Sequence, residues 1–229
     1  MKTVSISEFN NLVSPLFGMS VSLPWCGYGS AIFLELGKLQ PLSNSRQYHE
    51  RGEVCISFEW DWRLESDKKI IYGSSNSMPE IAKHISQLVN LKVKEITVEG
   101  RVPELSIQFD NGFVLRSMSM VTGDPQWDIR LQDDKWLSCM NGEITIGNGE
   151  GTGTTAEEDE AIEHSEITAK RWGAPVIEPK LGDCGKCNFF CRLDGHFSLL
   201  DYGVCTSANS PFDGKATNVK SGCQLFSPE

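Results

Sequence analysis

The chain has 229 residues, of which 39% are hydrophobic and 23% charged, and its formal net charge is −10; this suits a globular protein of one large domain or one domain with a small appendage. The acidic balance argues against nucleic-acid binding, which needs a basic surface. No apolar run approaches the roughly 18 residues of a membrane span, and residues 1–13 lack the apolar core of a signal peptide, so we expect a cytoplasmic protein with no membrane partner.

Residues 1–149 predict the first domain, which is of the α+β class, with a mainly antiparallel sheet and two helices. Ser5 and Glu8 have the spacing of a capping box and predict a helix up to Val13. Residues 23–30 (LPWCGYGS) are rich in turn formers. The next six residues (AIFLEL) predict a strand, and the polar residues 38–52 predict a loop.

The clearest predicted strand covers residues 54–64 (VCISFEWDWRL). Its apolar residues alternate with polar ones and include Ile56, Phe58, Trp60, Trp62 and Leu64. An aromatic stripe with a period of two is more typical of the core face of an antiparallel sheet than of a ligand platform. A short strand is predicted over residues 69–72.

Ser77 and Glu80 have the spacing of a second capping box and predict a helix that ends near Asn90. Its predicted apolar face consists of Ile81, Ile85, Leu88 and Val89. His84 lies beside this face, and we interpret it as a partly buried helix residue and not as a ligand.

Two hairpins are predicted in the second half of this domain. An Asp-Asn-Gly loop would set Ile107 opposite Leu115, and an Asn-Gly turn would set Cys139 opposite Ile144. Both registers keep the apolar residues on one face of the sheet. Strands that follow one another in hairpins favour an antiparallel sheet.

Residues 150–183 predict a glycine-rich linker and an acidic helix, and they hold nine acidic and three basic side chains. The glycine-rich stretch lacks the Lys-Ser or Lys-Thr pair of a phosphate loop. The helix, capped by Thr154 or Thr155, is predicted to end near Trp172. Its apolar stripe is thin and consists of Ile162, Ile167, Ala169 and Trp172. Its acidity is that of a solvated helix, and it also permits a basic protein partner.

Residues 184–229 predict a small third unit built on four cysteines. Cys184 and Cys187 form a CxxC, Cys205 follows after 17 intervening residues, and Cys223 after another 17. A tight pair and two distant cysteines can converge on one tetrahedral ion, and Zn²⁺ suits four thiolates. A structural Zn²⁺ would supply folding free energy that a unit with so little apolar material lacks.

Other interpretations of these cysteines stay open. Four cysteines also suffice for an iron–sulfur cluster, and CGKC has the spacing of a thiol–disulfide site, although the βαβ context of such a site is absent. His196 is an alternative ligand, and Cys191 is predicted to be a bystander. Three further cysteines are predicted to lie in the core: Cys26, Cys55 and Cys139. Three glycines are expected to let the chain turn close to the ion: Gly185, Gly203 and Gly222.

The C-terminal segment resembles an uncharacterised family of bacterial proteins. The shared motifs are a CxxC, a Gly-Val-Cys, a Ser-Pro-x-Asp-Gly turn and a final Gly-Cys, here at residues 184–187, 203–205, 210–214 and 222–223. Where that family often has a histidine shortly after the last cysteine, this chain has Phe226. The resemblance implies a zinc-ribbon-like unit and implies no activity. The strand-rich part is similar, by patterning, to small bacterial domains of unknown function found near toxin and immunity genes.

No set of catalytic residues is evident in the sequence. The histidines at positions 49, 84, 164 and 196 are scattered, and no serine lies in a nucleophile elbow. A zinc ion held by four cysteines has no open position for a substrate. We therefore hypothesise a non-enzymatic, protein-binding protein: a bacterial immunity or antitoxin-like protein that neutralises a toxin, such as a basic nuclease.

Two alternatives to this hypothesis belong to other functional classes. A zinc-ribbon module in nucleic-acid transactions would need a basic face, whose candidates are Lys186, Arg192, Lys215 and Lys220. An iron–sulfur redox protein would use the same four cysteines as cluster ligands.

Overall fold

The computed structural model describes residues 1–27, 29–41, 50–122, 124–149, 156–193, 199 and 201–228, except the side chains of residues 157 and 158. Most of the predicted 38–52 loop, most of the linker with its threonine caps, and both His49 and His196 lie outside these residues. The chain divides into two compact units, Met1–Gly151 and Thr152–Glu229.

Within its described residues, the first unit contains twelve strands. In chain order they are Lys2–Thr3 (β1), Val21–Cys26 (β2), Ile32–Leu36 (β3), Val54–Phe58 (β4), Trp62–Ser66 (β5), Lys69–Gly73 (β6), Val93–Glu99 (β7), Glu104–Phe109 (β8), Phe113–Ser117 (β9), Trp127–Arg130 (β10), Trp136–Met140 (β11) and Glu143–Gly147 (β12). Seven of them form one sheet in the order β1-β12-β11-β10-β4-β3-β2, and five form another in the order β6-β5-β9-β8-β7. The neighbouring strands pair antiparallel.

Two helices accompany these sheets, so the predicted α+β class with mainly antiparallel sheet is confirmed. Helix α1 spans Ile6–Val13 and helix α2 spans Met78–Ile85, and both begin with the predicted capping box. One continuous cluster of buried side chains joins residues of both sheets and both helices. Phe9 of α1 packs edge-to-face on Trp127 of β10, with ring centroids 5.7 Å apart.

Helix α2 is shorter than predicted. The chain continues as a 3₁₀ turn over Ser86–Leu88, and Asn90 then adopts a left-handed φ of 68°. Val89, predicted on the apolar face, is 38% exposed because the chain leaves the helix before it. His84 is half-buried, and its ring stacks on Tyr72 with centroids 4.7 Å apart.

The single strand predicted over residues 54–64 is wrong. The chain forms β4 and β5, which belong to different sheets, and residues 59–61 separate them. Trp60 in this break is exposed, whereas Phe58 and Trp62 on either side are buried. The apolar period continues in phase across the break, so periodicity alone could not reveal it.

Strand β2 was also not predicted, because Pro24 and the following glycines resemble a turn. Proline has no N–H to donate and is tolerated at the edge of a sheet. The structure places β2 at such an edge, where it pairs with β3 only.

Both predicted hairpin registers are confirmed. Ile107 pairs with Leu115, and Cys139 pairs with Ile144. Gly112 has a φ of 88°, as the three-residue loop requires.

The described part of the second unit contains one helix and three short strands. They are Ala156–Trp172 (α3), Phe190–Arg192 (β13), Tyr202–Cys205 (β14) and Ala216–Asn218 (β15). The strands form an antiparallel sheet in the order β13-β14-β15. In the described part of the chain, no helix is long and apolar enough to cross a membrane.

The prediction that Ile162 and Ile167 form a buried apolar stripe of α3 is wrong. Ile162 and Ile167 are exposed, the latter by 55%. Thr168 is buried instead, and Ser165 and Ala161, one and two turns before it, are half-buried. This helix face therefore packs through small side chains, which apolar periodicity does not identify.

Candidate metal centre

One turn, one strand end and one further short segment bring the four predicted cysteines together. Cys184 begins a 3₁₀ turn that ends just before Cys187, Cys205 ends β14, and Cys223 follows Gly222, which bridges to Val176. All four side chains are buried. They line one cavity of about 10 Å³, which is roughly the volume of one water-sized sphere.

Backbone hydrogen bonds fix the turn that holds the CxxC pair. The Cys184 N–H donates to the Ser221 carbonyl over 2.7 Å, and the Gly185 N–H donates to the Val219 carbonyl over 2.8 Å. The Cys187 N–H donates to the Cys184 carbonyl over 3.0 Å. The first two bonds attach the turn to the segment that leads into Cys223.

Polar groups also approach the sulfur atoms. The Ser227 N–H donates to the Cys187 Sγ over 3.5 Å, and the Ser210 Oγ lies 3.8 Å from the Cys223 Sγ. The buried Thr217 hydroxyl has no partner of ordinary hydrogen-bond geometry, and it is near enough to Cys184 to lower the pKa of that thiol. Donors of this kind around thiolates are typical of the second shell of a metal site.

The electrostatics of Cys184 show that the thiols influence one another. Burial raises the pKa of the Cys184 thiol, and the charges of Cys187, Cys223 and Cys205 raise it further, whereas the Thr217 hydroxyl lowers it. Like charges close together disfavour the ionised form. A bound cation would remove this repulsion.

The four thiols share a cavity without an assembled coordination shell. Among the described residues, no group of three or more His, Cys, Asp or Glu side chains has the arrangement of a metal site. The donor chemistry nevertheless fits zinc, because four sulfur donors in a cavity of single-ion size match a closed tetrahedral site.

The glycines near the cysteines serve a purpose other than the one predicted. Gly185, Gly203 and Gly222 are not among the glycines with positive φ. They are required by close packing instead: a Cβ at Gly203 would lie 2.6 Å from the Cys191 carbonyl oxygen, and one at Gly222 would overlap the Gly182 carbonyl.

The remaining cysteines are also free thiols. Cys191 is exposed on β13, Cys55 and Cys139 are buried, and Cys26 is only half-buried. Cys55 does not have the apolar surroundings predicted for it: burial raises the pKa of its thiol, and the neighbouring Glu35 raises it further.

Glu35 belongs to a buried ion pair that the sequence does not reveal. Its carboxylate lies 3.2 Å from the Arg130 guanidinium, and both side chains are 7% exposed. Arg130 also donates to the Gly52 carbonyl over 2.9 Å. The two partners are 95 residues apart in the chain. The only sequence signal for either of them is a charged residue at a strand position that faces away from the core.

Three lysines, Lys180, Lys186 and Lys220, lie near Asp183, the residue before the CxxC turn. The Lys180 ammonium lies 2.7 Å from the Asp183 carboxylate. The pKa of Asp183 is lowered first by the hydrogen bond from Lys180 and then by the charges of Lys180, Lys186 and Lys220. Lys186 and Lys220 are two of the four residues predicted for a basic face, and both are exposed.

Comparison with known proteins bears on the C-terminal region alone. Residues 152–228 match the sequence model of a family described as "Protein of unknown function (DUF3027)". This match covers 77 of the 229 residues, and it confirms that the C-terminal region resembles an uncharacterised family. No curated protein and no solved structure matches the chain significantly.

Proposed function

We propose that the chain is a non-enzymatic binding protein whose C-terminal unit is held folded by a structural Zn²⁺ ion on Cys184, Cys187, Cys205 and Cys223. The observation that supports this proposal most directly is the set of four buried thiols around one small cavity. The zinc ion would supply folding free energy and no reaction step, because four thiolates complete its tetrahedral shell.

The hydrophobic core of the second unit, as far as the structure describes it, is small, and this supports the proposal of a structural metal. The buried apolar cluster of these described residues consists of Cys205, Phe212 and Cys223, with Leu225 packed against it. A unit of this size with so few buried apolar side chains depends on an additional crosslink. Two of the three buried members are themselves proposed ligands.

A structural zinc ion and an iron–sulfur cluster would use the same four cysteines but differ in composition. A cluster places several iron and sulfide atoms between its cysteines, whereas a structural zinc site holds one ion. Elemental analysis and a visible spectrum of anaerobically purified protein distinguish these sites. One zinc per chain and no visible absorbance are expected; iron with a broad visible band would overturn the zinc assignment.

The proposed partner is a basic protein, and a cognate toxin such as a basic nuclease fits the acidic character of the chain. The exposed acidic side chains of α3 include Glu160, Glu163 and Glu166. Such a surface accelerates association with a basic partner and makes binding sensitive to salt. A cytoplasmic location, where thiols stay reduced, is part of the same proposal.

Binding to the basic proteins encoded beside the gene tests this partner class. Calorimetric titration should show a one-to-one complex that weakens with salt, and Glu160→Gln/Glu163→Gln/Glu166→Gln should weaken it further. The matched triple variant Glu95→Gln/Glu99→Gln/Glu143→Gln removes the same charge elsewhere and should bind normally. Loss of the same size in both variants would show only a net-charge effect, and the absence of any complex would remove the immunity hypothesis.

A second candidate function is nucleic-acid binding by the cysteine unit. It is favoured by the proximity of Lys180, Lys186 and Lys220 around one carboxylate. Fluorescence anisotropy with labelled DNA and RNA at low salt tests it. Binding that falls steeply with salt and is lost in Lys186→Glu/Lys220→Glu would support this function; no salt-sensitive binding would eliminate it.

A further inference from the structure

One face of the seven-stranded sheet has a row of side chains that the proposed function does not use. Trp25, Phe33, Ser57, Asp128 and Ser138 are successive cross-strand partners in β2, β3, β4, β10 and β11. Directly paired residues in an antiparallel sheet point their side chains to the same face. The core-facing residues on either side of each of them in β3, β4 and β10 are buried apolar side chains, so this row lies on the opposite face.

Two carboxylates are neighbours on this face: Asp128, which belongs to the row, and Glu59, which lies near it. Glu59 follows β4 two residues after Ser57, and its N–H continues the ladder by donating to the Gln126 carbonyl over 3.1 Å. Burial raises the pKa of the Asp128 carboxyl to about 6, and the Glu59 charge adds to this effect. Burial also raises the pKa of Glu59. The two carboxylates are therefore close enough to repel each other.

No cation of the described chain compensates for these carboxylates. In the part of the chain that the structure describes, neither Asp128 nor Glu59 takes part in an ion pair. Arg130, two residues along β10, is committed to Glu35 and to the Gly52 carbonyl. Half-buried carboxylates without a cation beside them are unfavourable, and such groups are candidate sites for a ligand that supplies the missing charge.

The hydroxyl of Ser57 gives independent support for a ligand. Ser57 is only 2% exposed, and its Oγ has no hydrogen-bond partner of ordinary geometry. It is nevertheless near enough to Glu59 to lower the pKa of that carboxyl against the effect of burial. An unsatisfied buried hydroxyl costs about 1–3 kcal/mol, and this one lies beside the Glu59 carboxylate.

A flat aromatic surface adjoins the same cluster. The rings of Trp25 and Phe33 are stacked, with centroids 3.9 Å apart and an angle of 6° between their planes. Phe33 is the cross-strand partner of Ser57. Both aromatic residues and Asp128 are partly accessible to solvent, so a planar group can approach the carboxylates along the stacked rings.

We propose that Asp128, Glu59 and Ser57, together with the Trp25–Phe33 stack, form a binding site for a guanidinium group. A guanidinium is planar, has five N–H donors that match carboxylates, and packs on aromatic rings. Mg²⁺ and Ca²⁺ fit less well, because they take about six to eight oxygen ligands, whereas this cluster offers two carboxylates and one hydroxyl. This site lies in the first unit and does not rest on the zinc proposal or on the immunity proposal.

A titration followed by ¹H–¹⁵N NMR tests the site with N-methylguanidinium as the probe and N-methylurea as its neutral, planar counterpart. Methylguanidinium should produce saturable shifts at Ser57, Asp128 and Ser138, and methylurea should not. Asp128→Asn keeps the shape of the side chain and should weaken binding about tenfold, as loss of one charge-assisted pair predicts. Ser57→Ala should weaken it by a smaller factor, and Glu143→Gln, an exposed carboxylate on the same sheet, should have no effect.

Three results would overturn the proposal: equal shifts with methylurea, unchanged affinity in Asp128→Asn, or competition by millimolar Mg²⁺ or Ca²⁺ at the same residues. Arginine amide and a short arginine-containing peptide then identify the source of the group. Equal affinities indicate a free small molecule as ligand, and tighter binding of the peptide indicates an arginine side chain of a protein.

Discussion

The negative charge of Asp128 destabilises the folded chain, because the carboxylate is largely removed from water. Its carboxylate accepts a hydrogen bond from Ser138, but burial outweighs this bond and raises its pKa from the ordinary value of 3.8 to about 6. The folded chain therefore holds this proton more tightly than the unfolded chain does. The resulting stabilisation is fully present below about pH 4 and is lost as the pH rises through about 6.

Asp128→Asn should therefore stabilise the protein at pH 7, by about 1–3 kcal/mol. The difference in unfolding free energy between variant and wild type should grow between pH 4 and pH 6 and then level off. Urea unfolding at several pH values measures it. Asp133→Asn serves as control because Asp133 is exposed and its pKa is lowered by Lys135. An Asp128→Asn protein less stable than wild type at pH 7 would contradict the interpretation.

The Glu35–Arg130 pair is the opposite case, a buried charge that is fully compensated. Glu35 accepts from the Gly52 N–H over 2.8 Å as well as from Arg130. Removal of one partner leaves the other charge buried and unpaired, which typically costs about 3–5 kcal/mol.

Arg130→Met should accordingly destabilise the first unit by about 3–5 kcal/mol in denaturant unfolding. Lys135→Met removes a cation from the exposed pair with Asp133 and should cost less than about 1 kcal/mol. Similar losses in the two variants would show that burial of the Arg130 pair has no energetic consequence.

At the scale of elements, local turn chemistry made the hairpins predictable. The Asn141-Gly142 turn has φ values of 53° and 80°, which few residue types adopt readily, so the sequence locates the turn and the turn determines the register. The capping boxes of α1 and α2 are equally local. Each of these features depends on residues a few positions apart in the chain.

Features that depend on tertiary partners were not predictable. The break between β4 and β5 leaves the apolar period unchanged, so which sheet each half joins is decided by distant strands. Helix α3 buries Thr168 and leaves Ile167 exposed, and the period of apolar residues does not identify this face. The spacing of the cysteines indicated a shared site, and the structure places all four around one cavity.

Close packing around β14 gives a prediction at this scale. Gly203→Ala would place a Cβ against the Phe190 ring and 2.6 Å from the Cys191 carbonyl oxygen, so β13 and β14 would have to separate. We expect a loss of about 1–3 kcal/mol in the stability of the second unit, measured by its resistance to proteolysis. Asn209→Ala, at an exposed position of the same unit, should leave proteolysis unchanged, and an equally resistant Gly203→Ala protein would contradict the packing argument.

At the scale of the whole molecule, the two units differ in what stabilises them. Among the described residues, the first has a large cluster of buried apolar side chains, whereas the corresponding cluster of the second has three buried members, two of them cysteines. A strong zinc chelator should therefore abolish the dispersed NMR signals of the described residues between 184 and 228 and leave those of the first unit intact. Loss of signals from both units together, or from neither, would contradict a metal-dependent second unit.

The most direct test of the structural zinc site is the zinc content of three purified proteins: wild type, Cys223→Ser and Cys191→Ser. Cys223 lines the cavity, whereas Cys191 is an exposed cysteine of the same unit. We predict about one zinc per chain in wild type and in Cys191→Ser, and loss of zinc together with unfolding of the second unit in Cys223→Ser. A wild-type protein without zinc, or a Cys223→Ser protein that keeps both its zinc and its fold, would contradict the account.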